Sequence, residues 1–319
     1  MAERESPLPR PVAGTVATVG TFDGVHRGHQ HVLERLRDRA AALALPTLVV
    51  TFEPHPLEII SPEAAPGRLT VREEKLLALA ACGIDYVAEI AFTPAFRRLS
   101  ADAFIRDVLV ARYHVRALLI GHDHAFGRGR EGDAELVQSI AHTAGFEVDV
   151  VDAVALASGG RLSSSVIREA VASGDLVTAA RGLGRPYEAM GRVAAGAGRG
   201  RGLGFPTINL TLPSPRKLLP PLGVYAVRVA SAAGTFGGMM NLGPRPTFGE
   251  SATTLEVHLF DAGGSWYERP VSVQFVARLR DTMKFSGADA LAAQLRMDAD
   301  AAHRALTEVR LPNTVIGSG

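Results

Sequence analysis

Residues suited to chemistry concentrate in one short string near the start of the chain, GTFDGVHRGH, which runs from Gly20 to His29. Its two histidines, His26 and His29, are three positions apart, a spacing that puts side chains on one face of a helical turn. If a helix begins here, its unpaired N–H groups favour a bound phosphate, and the imidazoles add hydrogen-bond donors. The string therefore predicts a site that binds and transfers a phosphate-bearing group. Three glycines permit close backbone approach or a positive φ: Gly20, Gly24 and Gly28.

The histidines alone leave two alternatives open. They could be ordinary polar groups at the surface, or they could bind a metal together with His31. A second His-Asp-His run, from His122 to His124, also suggests metal ligands. Alternate residues of one extended segment do not all face the same way, so we expect no metal in that run.

Two other polar strings occur in the first half of the chain. TFEPHP, residues 51–56, is by itself the end of a strand followed by a proline turn. SSSVIR, residues 163–168, precedes a predicted helix, where hydroxyl groups can cap the helix or bind phosphate and Arg168 can bind phosphate oxygens through two N–H groups. From the serines alone, an ordinary helix cap explains the second string equally well.

The second half contains a glycine-rich string, GRGRGLGFPTIN, residues 198–209, and no GxxxxGK[ST] phosphate loop. Its backbone N–H groups and arginines could surround phosphates, while the Thr207 hydroxyl and the Asn209 oxygen could bind Mg²⁺. By itself such a tract is also typical of a flexible loop. Further on, Leu255, Val257 and Leu259 alternate with polar positions, so Glu256 is predicted to project from the opposite face of a strand.

These residues must be positioned by two different kinds of domain. Up to about Val151, β-rich runs such as TVATV alternate with helical runs such as HQHVLERLRDRAAAL, which predicts a parallel sheet covered by helices on both faces. A helix is predicted from about Ser165 to Ala172, and a junction at RGLGRPYEAMGRV. Short β-like segments then follow, with one helix after Ser286, which predicts a small antiparallel barrel or sandwich. We expect domains over residues 1–183 and 184–319.

The composition of the 319 residues excludes several classes of protein. Lys plus Arg (34) nearly equals Asp plus Glu (33), so there is no general basic field for a nucleic acid, and a small charged substrate fits better. The single cysteine, Cys82, excludes an intrachain disulfide and is expected to be a buried, inert thiol. The N-terminus lacks an apolar signal core and no apolar run is long enough to span a membrane, so we expect a cytoplasmic protein.

GxFDGxHxGH resembles the HxGH signature of the nucleotidylyl transferase superfamily. Together with TFEPHP, FGRGREGD and SSSVIR, it is similar to the FMN adenylyltransferase module of prokaryotic bifunctional riboflavin kinase/FAD synthetases. In the second half, GRGRGLGFPTIN and the Glu at position 256 resemble the flavokinase signature of the same family. The family's fold is a doubly wound, Rossmann-like α/β domain followed by a small antiparallel β-barrel with a C-terminal helix.

The resemblance implies roles for individual residues. His26, His29 and Arg168 would stabilise the phosphates in adenylyl transfer, and Glu256 would be the base of the kinase. Thr207 and Asn209 would also bind the metal, Mg²⁺. The implied nucleotide-binding residues are Gly20, Phe22, Asp23, Gly24, Asp123, Ser163, Ser164, Ser165, Gly202, Thr207 and Asn209. The implied flavin-binding residues are Phe52, His55, Phe126, Arg280 and Lys284.

The chain departs from the family pattern at a few positions. His124 stands where Phe is usual, Ser165 replaces Thr, Ile208 replaces Ala, and Ser286 stands where Asp is frequent. The double glycine Gly237–Gly238 is a further departure, and we expect it and Ser286 to alter loop mobility.

The resemblance implies that riboflavin and ATP give FMN and ADP, and that FMN and a second ATP give FAD. Two alternatives remain: only one activity is retained, or the protein binds flavin without turnover. Neither nucleic acid nor membrane is an expected partner, and homo-oligomer formation is left open.

Overall fold

The computed structural model describes residues 12–121, 134–152, 161–195, 199–244 and 253–308. Contacts between residues divide the chain into two units. The first contains the residues up to Pro66 together with Arg72–Ser164, and the second contains Gly67–Val71 together with the residues from Ser165 on.

The first unit is built on a five-stranded parallel sheet in the order β3-β2-β1-β4-β5. The strands are β1 (Thr15–Val19), β2 (Thr47–Glu53), β3 (Tyr86–Ala91), β4 (Val115–Gly121) and β5 (Glu147–Val151). The helices of this unit are α1 (Arg27–Leu43), α2 (Pro56–Ile60), α3 (Arg72–Ala81), α4 (Ala101–Ala103) and α5 (Ala134–Ala144).

Both faces of this sheet are buried, as expected for a parallel sheet. Val16 and Val49 lie in one hydrophobic cluster with α1, whereas their neighbours Ala17 and Leu48 lie in a second cluster on the other face. Successive residues of a strand point to opposite faces, so the two clusters cover the two sides of the sheet. The predicted parallel sheet with helices on both faces is confirmed.

The helical segment after β3 begins as α4 and continues directly as a π-helical segment, Phe104–Val110. One detail of the first unit differs from expectation. Cys82 was expected to be buried, but it is half-buried at the end of α3, where it packs against the cluster that contains Val16.

The second unit is a closed antiparallel barrel in the order β10-β7-β6-β11-β8-β9. Its helices are α6 (Ser164–Ser173), whose first residue belongs to the first unit, α7 (Leu176–Leu183) and α8 (Ala288–Glu308). Its strands are β6 (Glu188–Ala194), β7 (Ile208–Thr211), β8 (Gly223–Ser231), β9 (Gly234–Pro244), β10 (Thr253–Leu259) and β11 (Pro270–Arg280). The predicted small barrel with a C-terminal helix is confirmed.

The stretch predicted as a junction contains two regular elements, the end of α7 and β6. Gly184 ends α7 in the left-handed conformation, a common way for a helix to finish. Gly191 lies inside β6, where a Cβ atom would approach the Thr211 carbonyl oxygen to 2.9 Å. Gly184 therefore caps a helix, and Gly191 permits close packing of β6 against β7. The domain boundary between residues 183 and 184 stays a prediction.

Gly237 and Gly238 lie within β9, and the expectation that they alter a loop was wrong. A Cβ atom on Gly238 would lie 2.5 Å from the carbonyl oxygen of His258 in β10. A Cβ atom on Gly237 would lie 2.9 Å from the Leu306 side chain of α8. These glycines permit close packing of β9 against its neighbours.

A five-residue strap from the first half of the chain, Gly67–Val71, belongs to the barrel unit. Arg68 forms a parallel β-bridge with Lys217, and its N–H donates to the Arg216 carbonyl at 2.7 Å. The buried Lys217 ammonium donates to the Leu69 carbonyl at 2.8 Å and lies over the Tyr187 ring. The strap is thus bonded into the barrel unit through main-chain and side-chain groups.

No helix in the described ranges combines the length and apolar character needed to cross a membrane.

Candidate active sites

The loop between β1 and α1 holds the first group of candidate residues in an unusual backbone conformation. Phe22 and Val25 have φ values of 49° and 40°, and Gly24 has a φ of 86°. The left-handed region is rare for residues other than glycine and is a true outlier for a β-branched residue such as valine. Both side chains are buried in the core cluster beside α1, which holds the strained backbone in place. Such strain is concentrated at functional sites.

His26 and His29 lie together at the start of α1. His26 is the N-cap, and its Nδ1 accepts from the backbone N–H of His29 at 3.3 Å. The two rings stack with their centroids 3.7 Å apart, and the Phe22 ring lies 5.0 Å from that of His29. A Cβ atom on Gly28 would lie 3.0 Å from the His26 ring, so glycine is needed for this close approach. The predicted convergence of the two histidines at a helix start therefore exists.

The environment of His29 favours its neutral form. Burial, and to a lesser degree the neighbouring His26, lowers the pKa of His29 well below its usual value of 6.5. Its Nδ1 is buried and has no hydrogen-bond partner among the described residues. A neutral imidazole retains one N–H donor, so at neutral pH the ring can still donate to a phosphate oxygen.

The serine string lies at the start of α6 and contacts the first loop. The Ser164 hydroxyl donates to the Asp23 carbonyl at 2.9 Å, and Asp23 itself is buried. Ser163 precedes the helix, whereas Ser165 and Arg168 lie within it, exposed and half-buried respectively. The structure thus brings Ser164 to the loop of the histidines. A contact between Arg168 and the two histidines stays a prediction.

The TFEPHP string occupies the end of β2 and the start of α2. His55 is the N-cap of α2, with its Nδ1 accepting from the Leu57 N–H at 3.2 Å. The Phe52 ring is buried among three other phenylalanine rings: Phe92, Phe96 and Phe104. These contacts show structural roles for both residues, and their flavin contacts stay a prediction. Asp123, His124 and Phe126 lie outside the described residues.

Sequence reasoning missed Lys75, a fully buried lysine of α3. Its ammonium donates to the Phe52 carbonyl and to the Thr51 hydroxyl, at the end of β2. A signal existed in the sequence, because Lys75 shares a helix face with the buried Leu79, four positions later.

In the barrel, three polar side chains form a row across neighbouring strands. Glu256 of β10 pairs with Asn209 of β7 on one side and with Asn241 of β9 on the other. Directly paired residues project from the same face of a sheet. The adjacent Leu255 and Val257 are buried, so the row lies on the outer face of the barrel. The projection of Glu256 was predicted correctly, whereas its pairing with Asn241 could not be read from the sequence.

The segment before β7 is attached to β10 close to this row. The Pro206 carbonyl lies 2.8 Å from Nδ1 of His258, which projects on the same side of β10 as Glu256. Thr207 is two residues from Asn209 along the chain and is half-buried, as is Asn209. A Cβ atom on Gly200 would clash with the Phe205 carbonyl oxygen at 2.1 Å, so this turn requires glycine. Gly202 is exposed in the same turn, and the side chains of Arg199 and Arg201 lie outside the described residues.

A groove of about 530 Å³ is lined in part by His258, which is two residues from Glu256 along β10. Phe260 and His303 of α8 stack in its wall with ring centroids 4.0 Å apart. The His258 ring makes T-shaped contacts with the Phe260 and Phe205 rings. These flat rings are suited to a planar ligand. The other lining residues are Gly204, Pro206, Leu259, Asp261, Ala262 and Gly263.

Two of the expected flavin-binding residues, Arg280 and Lys284, lie near the end of β11 in different environments. Arg280 binds Asp298 of α8 through two hydrogen bonds of 2.8 and 2.6 Å, and Asp298 also accepts from Gln294. Lys284 is exposed in the segment after β11. Arg280 thus anchors α8, a role that the sequence did not reveal, and the flavin contacts of both residues stay a prediction.

Within the described ranges, no cluster of three or more His, Cys, Asp or Glu side chains could hold a metal ion. The alternative of a metal site at His26, His29 and His31 therefore has no support. The row on the barrel offers a carboxylate and amide oxygens, and Thr207 nearby offers a hydroxyl. Mg²⁺ prefers such oxygen ligands and keeps several waters and substrate phosphates in its coordination shell.

Comparisons with known proteins match a different family to each half of the chain. The family model for FAD synthetase matches residues 9–166, and that for riboflavin kinase matches residues 183–306. A bifunctional riboflavin kinase/FMN adenylyltransferase of Escherichia coli (strain K12) is 41% identical over 290 residues, covering 90% of this chain and 91% of the relative. A protein of the same name from Pseudomonas fluorescens is 42% identical over 290 residues, covering 91% and 92%.

Among solved structures, a protein described as a macrolide-efflux protein from Streptococcus pneumoniae has a TM-score of 0.81 with this chain. It is 29% identical and covers 91% of this chain and 94% of its own. Together with the family models and relatives above, this match covers nearly the whole sequence. The chain therefore belongs to the family of bifunctional riboflavin kinase/FMN adenylyltransferases.

Proposed function

We propose that this chain makes flavin cofactors in two steps, each of which uses one ATP. In the first, riboflavin is phosphorylated to FMN and ADP is released. In the second, FMN is adenylylated to FAD and pyrophosphate is released. The observation that carries the proposal is the tandem match of the chain to FAD synthetase and riboflavin kinase families.

Adenylyl transfer is assigned to the loop between β1 and α1. A phosphate oxygen of FMN attacks the α-phosphorus of ATP, and the bond to pyrophosphate breaks. The reaction needs no protein nucleophile, so catalysis consists of positioning and charge stabilisation. His26, His29 and the N-terminus of α1 would donate to the phosphates, and Arg168 would add positive charge. Phe22, Asp23 and Gly24 set the loop, and Ser164 holds it through the Asp23 carbonyl.

The kinase step is assigned to the row on the barrel. Glu256 accepts the proton of the riboflavin 5′-hydroxyl, whose oxygen attacks the γ-phosphorus of ATP while ADP leaves. Asn209 and Thr207 would hold Mg²⁺, which neutralises charge on the phosphates when bound. The groove lined in part by His258, with its stacked Phe260 and His303 rings, would receive a planar part of a substrate.

The remaining expectations complete the proposal. The adenylyltransferase would comprise residues 1–183 and the kinase residues 184–319, both acting on small molecules in the cytoplasm without nucleic acid. Phe52, His55, Phe126, Arg280 and Lys284 stay candidates for the flavin sites, and Asp123, Ser163, Ser165 and Gly202 for the nucleotide sites.

The proposal is tested by incubating the purified protein with riboflavin, ATP and Mg²⁺ and separating the flavins by chromatography. We expect FMN to appear first and FAD to follow, and no products without Mg²⁺. A second incubation starts from FMN and should give FAD directly. Formation of neither product would refute the proposal, and formation of one would restrict it to that unit.

A further inference from the structure

The ammonium group of Lys75 is buried and excluded from water. The residue is 0% exposed, and its ammonium lies among three consecutive residues at the carboxyl end of β2. It donates to the Thr51 hydroxyl at 3.2 Å and to the Phe52 carbonyl at 3.1 Å, and the Glu53 carboxylate is 3.7 Å away. Burying a charge is costly unless it is paired and hydrogen-bonded. The contacts of Lys75 all lie at this strand end, so its ammonium and the end of β2 hold each other in place.

The hydrogen bonds of Thr51 have a fixed direction. Its hydroxyl accepts from Lys75 and lies 3.2 Å from the Thr21 carbonyl, to which it donates. An ammonium group can only donate, and a carbonyl can only accept, so the single hydroxyl proton must point at Thr21. The lysine therefore orients the threonine hydroxyl, and the hydroxyl in turn fixes a backbone carbonyl of the loop between β1 and α1.

Thr21 lies where that loop begins its strained course. The next residue, Phe22, has a φ of 49°, and its ring packs 5.0 Å from the His29 ring. The Gly20 N–H, on the other side of Thr21, donates to Val50 of β2 at 3.0 Å. Both bonds attach the start of the loop to β2, and the one made by Thr51 depends on Lys75. A chain of contacts thus leads from Lys75 through Thr51 and Thr21 to the histidine pair.

We propose that Lys75 is a positioning residue for adenylyl transfer, which acts through the Thr51 hydroxyl to hold the histidine loop in its reactive conformation. The inference rests on the proposed FMN adenylyltransferase activity. It predicts that loss of the relay lowers kcat for FAD formation more than it changes KM, because a misplaced loop still binds the substrates but stabilises the transition state less well. The kinase reaction of the same chain should be unaffected.

The test uses threonine variants, which disturb the core less than a change at the buried lysine. Thr51→Val keeps the shape of the side chain but removes the hydroxyl, and we expect kcat for FAD formation from FMN to fall about tenfold to 10²-fold. Thr51→Ser restores the hydroxyl and should recover most of the rate. Lys75→Met should lower kcat at least as much, and the double variant Lys75→Met/Thr51→Val should be little worse than Lys75→Met alone.

Thr15→Val is the matched control. Thr15 is also a buried threonine of the same sheet, and its hydroxyl donates to the Tyr113 carbonyl at 2.9 Å. It is the first residue of β1, at the opposite end of this strand from the histidine loop. Thr15→Val should lose about as much stability as Thr51→Val but keep the wild-type kcat.

Two outcomes would overturn the inference. One is a wild-type kcat in Thr51→Val, and the other is an equal loss of kcat in Thr51→Val and Thr15→Val. If Lys75→Met does not fold, the Val and Ser variants of Thr51 decide the question by themselves. Absence of FAD formation in the wild-type protein would instead refute the proposed function, so the two failures are distinguishable.

Discussion

The two candidate sites hold their polar groups by different physical means. In the first unit, His26 and His29 depend on a short loop with left-handed backbone at Phe22, Gly24 and Val25, attached to neighbouring elements by side-chain hydrogen bonds. In the barrel, Glu256 and its neighbours take their direction from the alternation of paired, extended strands. The first arrangement must be maintained by residues outside the site, whereas the second follows from the strand register.

This difference changes what a mutation near each site should do. The histidine loop is sensitive to substitutions at a distance, because strain at Phe22 and Val25 persists only while the surroundings hold it. The row on the barrel should tolerate changes in the surrounding loops but not changes of its own side chains. The two activities reside in one chain, so each serves as the internal control for the other.

The largest expected effect is that of Glu256→Gln, which keeps the shape of the side chain but removes the base. We expect the rate of FMN formation from riboflavin to fall by about 10²- to 10⁴-fold. FAD formation from added FMN should stay unchanged, as measured by chromatography of the flavins. Glu268→Gln is the control, since this exposed glutamate lies in the turn before β11. A normal rate of FMN formation in Glu256→Gln would refute the assignment of Glu256 as the base.

The second-largest effect is expected from the loss of the His26 imidazole. His26→Asn retains a side chain that can cap α1, so it separates the role of the ring from that of the cap. We expect the rate of FAD formation to fall about 10²- to 10³-fold, because a donor to the developing charge is lost. FMN formation should not change.

His31→Asn on the same helix is its control and should keep the wild-type rate. An equal loss in both variants would instead favour a shared metal site of the three histidines.

A smaller effect, on stability, is expected at the anchor of α8. Asp298→Asn breaks a buried, doubly hydrogen-bonded ion pair with Arg280. Loss of one partner of such a pair costs about 3–5 kcal/mol of unfolding free energy. Urea unfolding measures the change, and Asp300→Asn, an exposed aspartate of the same helix, should cost little. Equal midpoints for the two variants would show that the ion pair does not stabilise the barrel.

The smallest effect is a pH dependence of stability that belongs to the histidine loop. The pKa of His29 is lowered in the folded protein, so below its unfolded value of 6.5 the unfolded chain binds a proton that the folded chain does not. The contribution of His29 to the free energy of unfolding is therefore complete above pH 6.5, and it is lost as the pH falls towards the pKa of the folded protein.

Urea unfolding at about pH 7.5 and about pH 5.5 measures this dependence. We expect His29→Gln to lose less stability between the two values than the wild-type protein. An identical loss in both would contradict the lowered pKa.

Local features of both sites could be predicted from the sequence, whereas non-local pairings could not. His26 at a helix start and the projection of Glu256 follow from glycine placement and from strand alternation within a few residues. The pairing of Asn241 with Glu256, and of Arg280 with Asp298, depends on which strands and helices become neighbours. Lys75 was missed for a related reason, since a lysine is buried only when partners from another element meet it.

The strap, Gly67–Val71, affects which residues a separate fragment of the barrel unit would have to contain. A fragment that starts at residue 184 would encode all six strands of the barrel, but it would lack the Arg68 N–H that binds the Arg216 carbonyl and the Leu69 carbonyl that binds Lys217. During synthesis, the ribosome makes the strap long before the segment around Arg216 and Lys217 that binds it. The barrel unit therefore includes a peptide that is translated earlier, and a kinase fragment without residues 67–71 would lose these bonds.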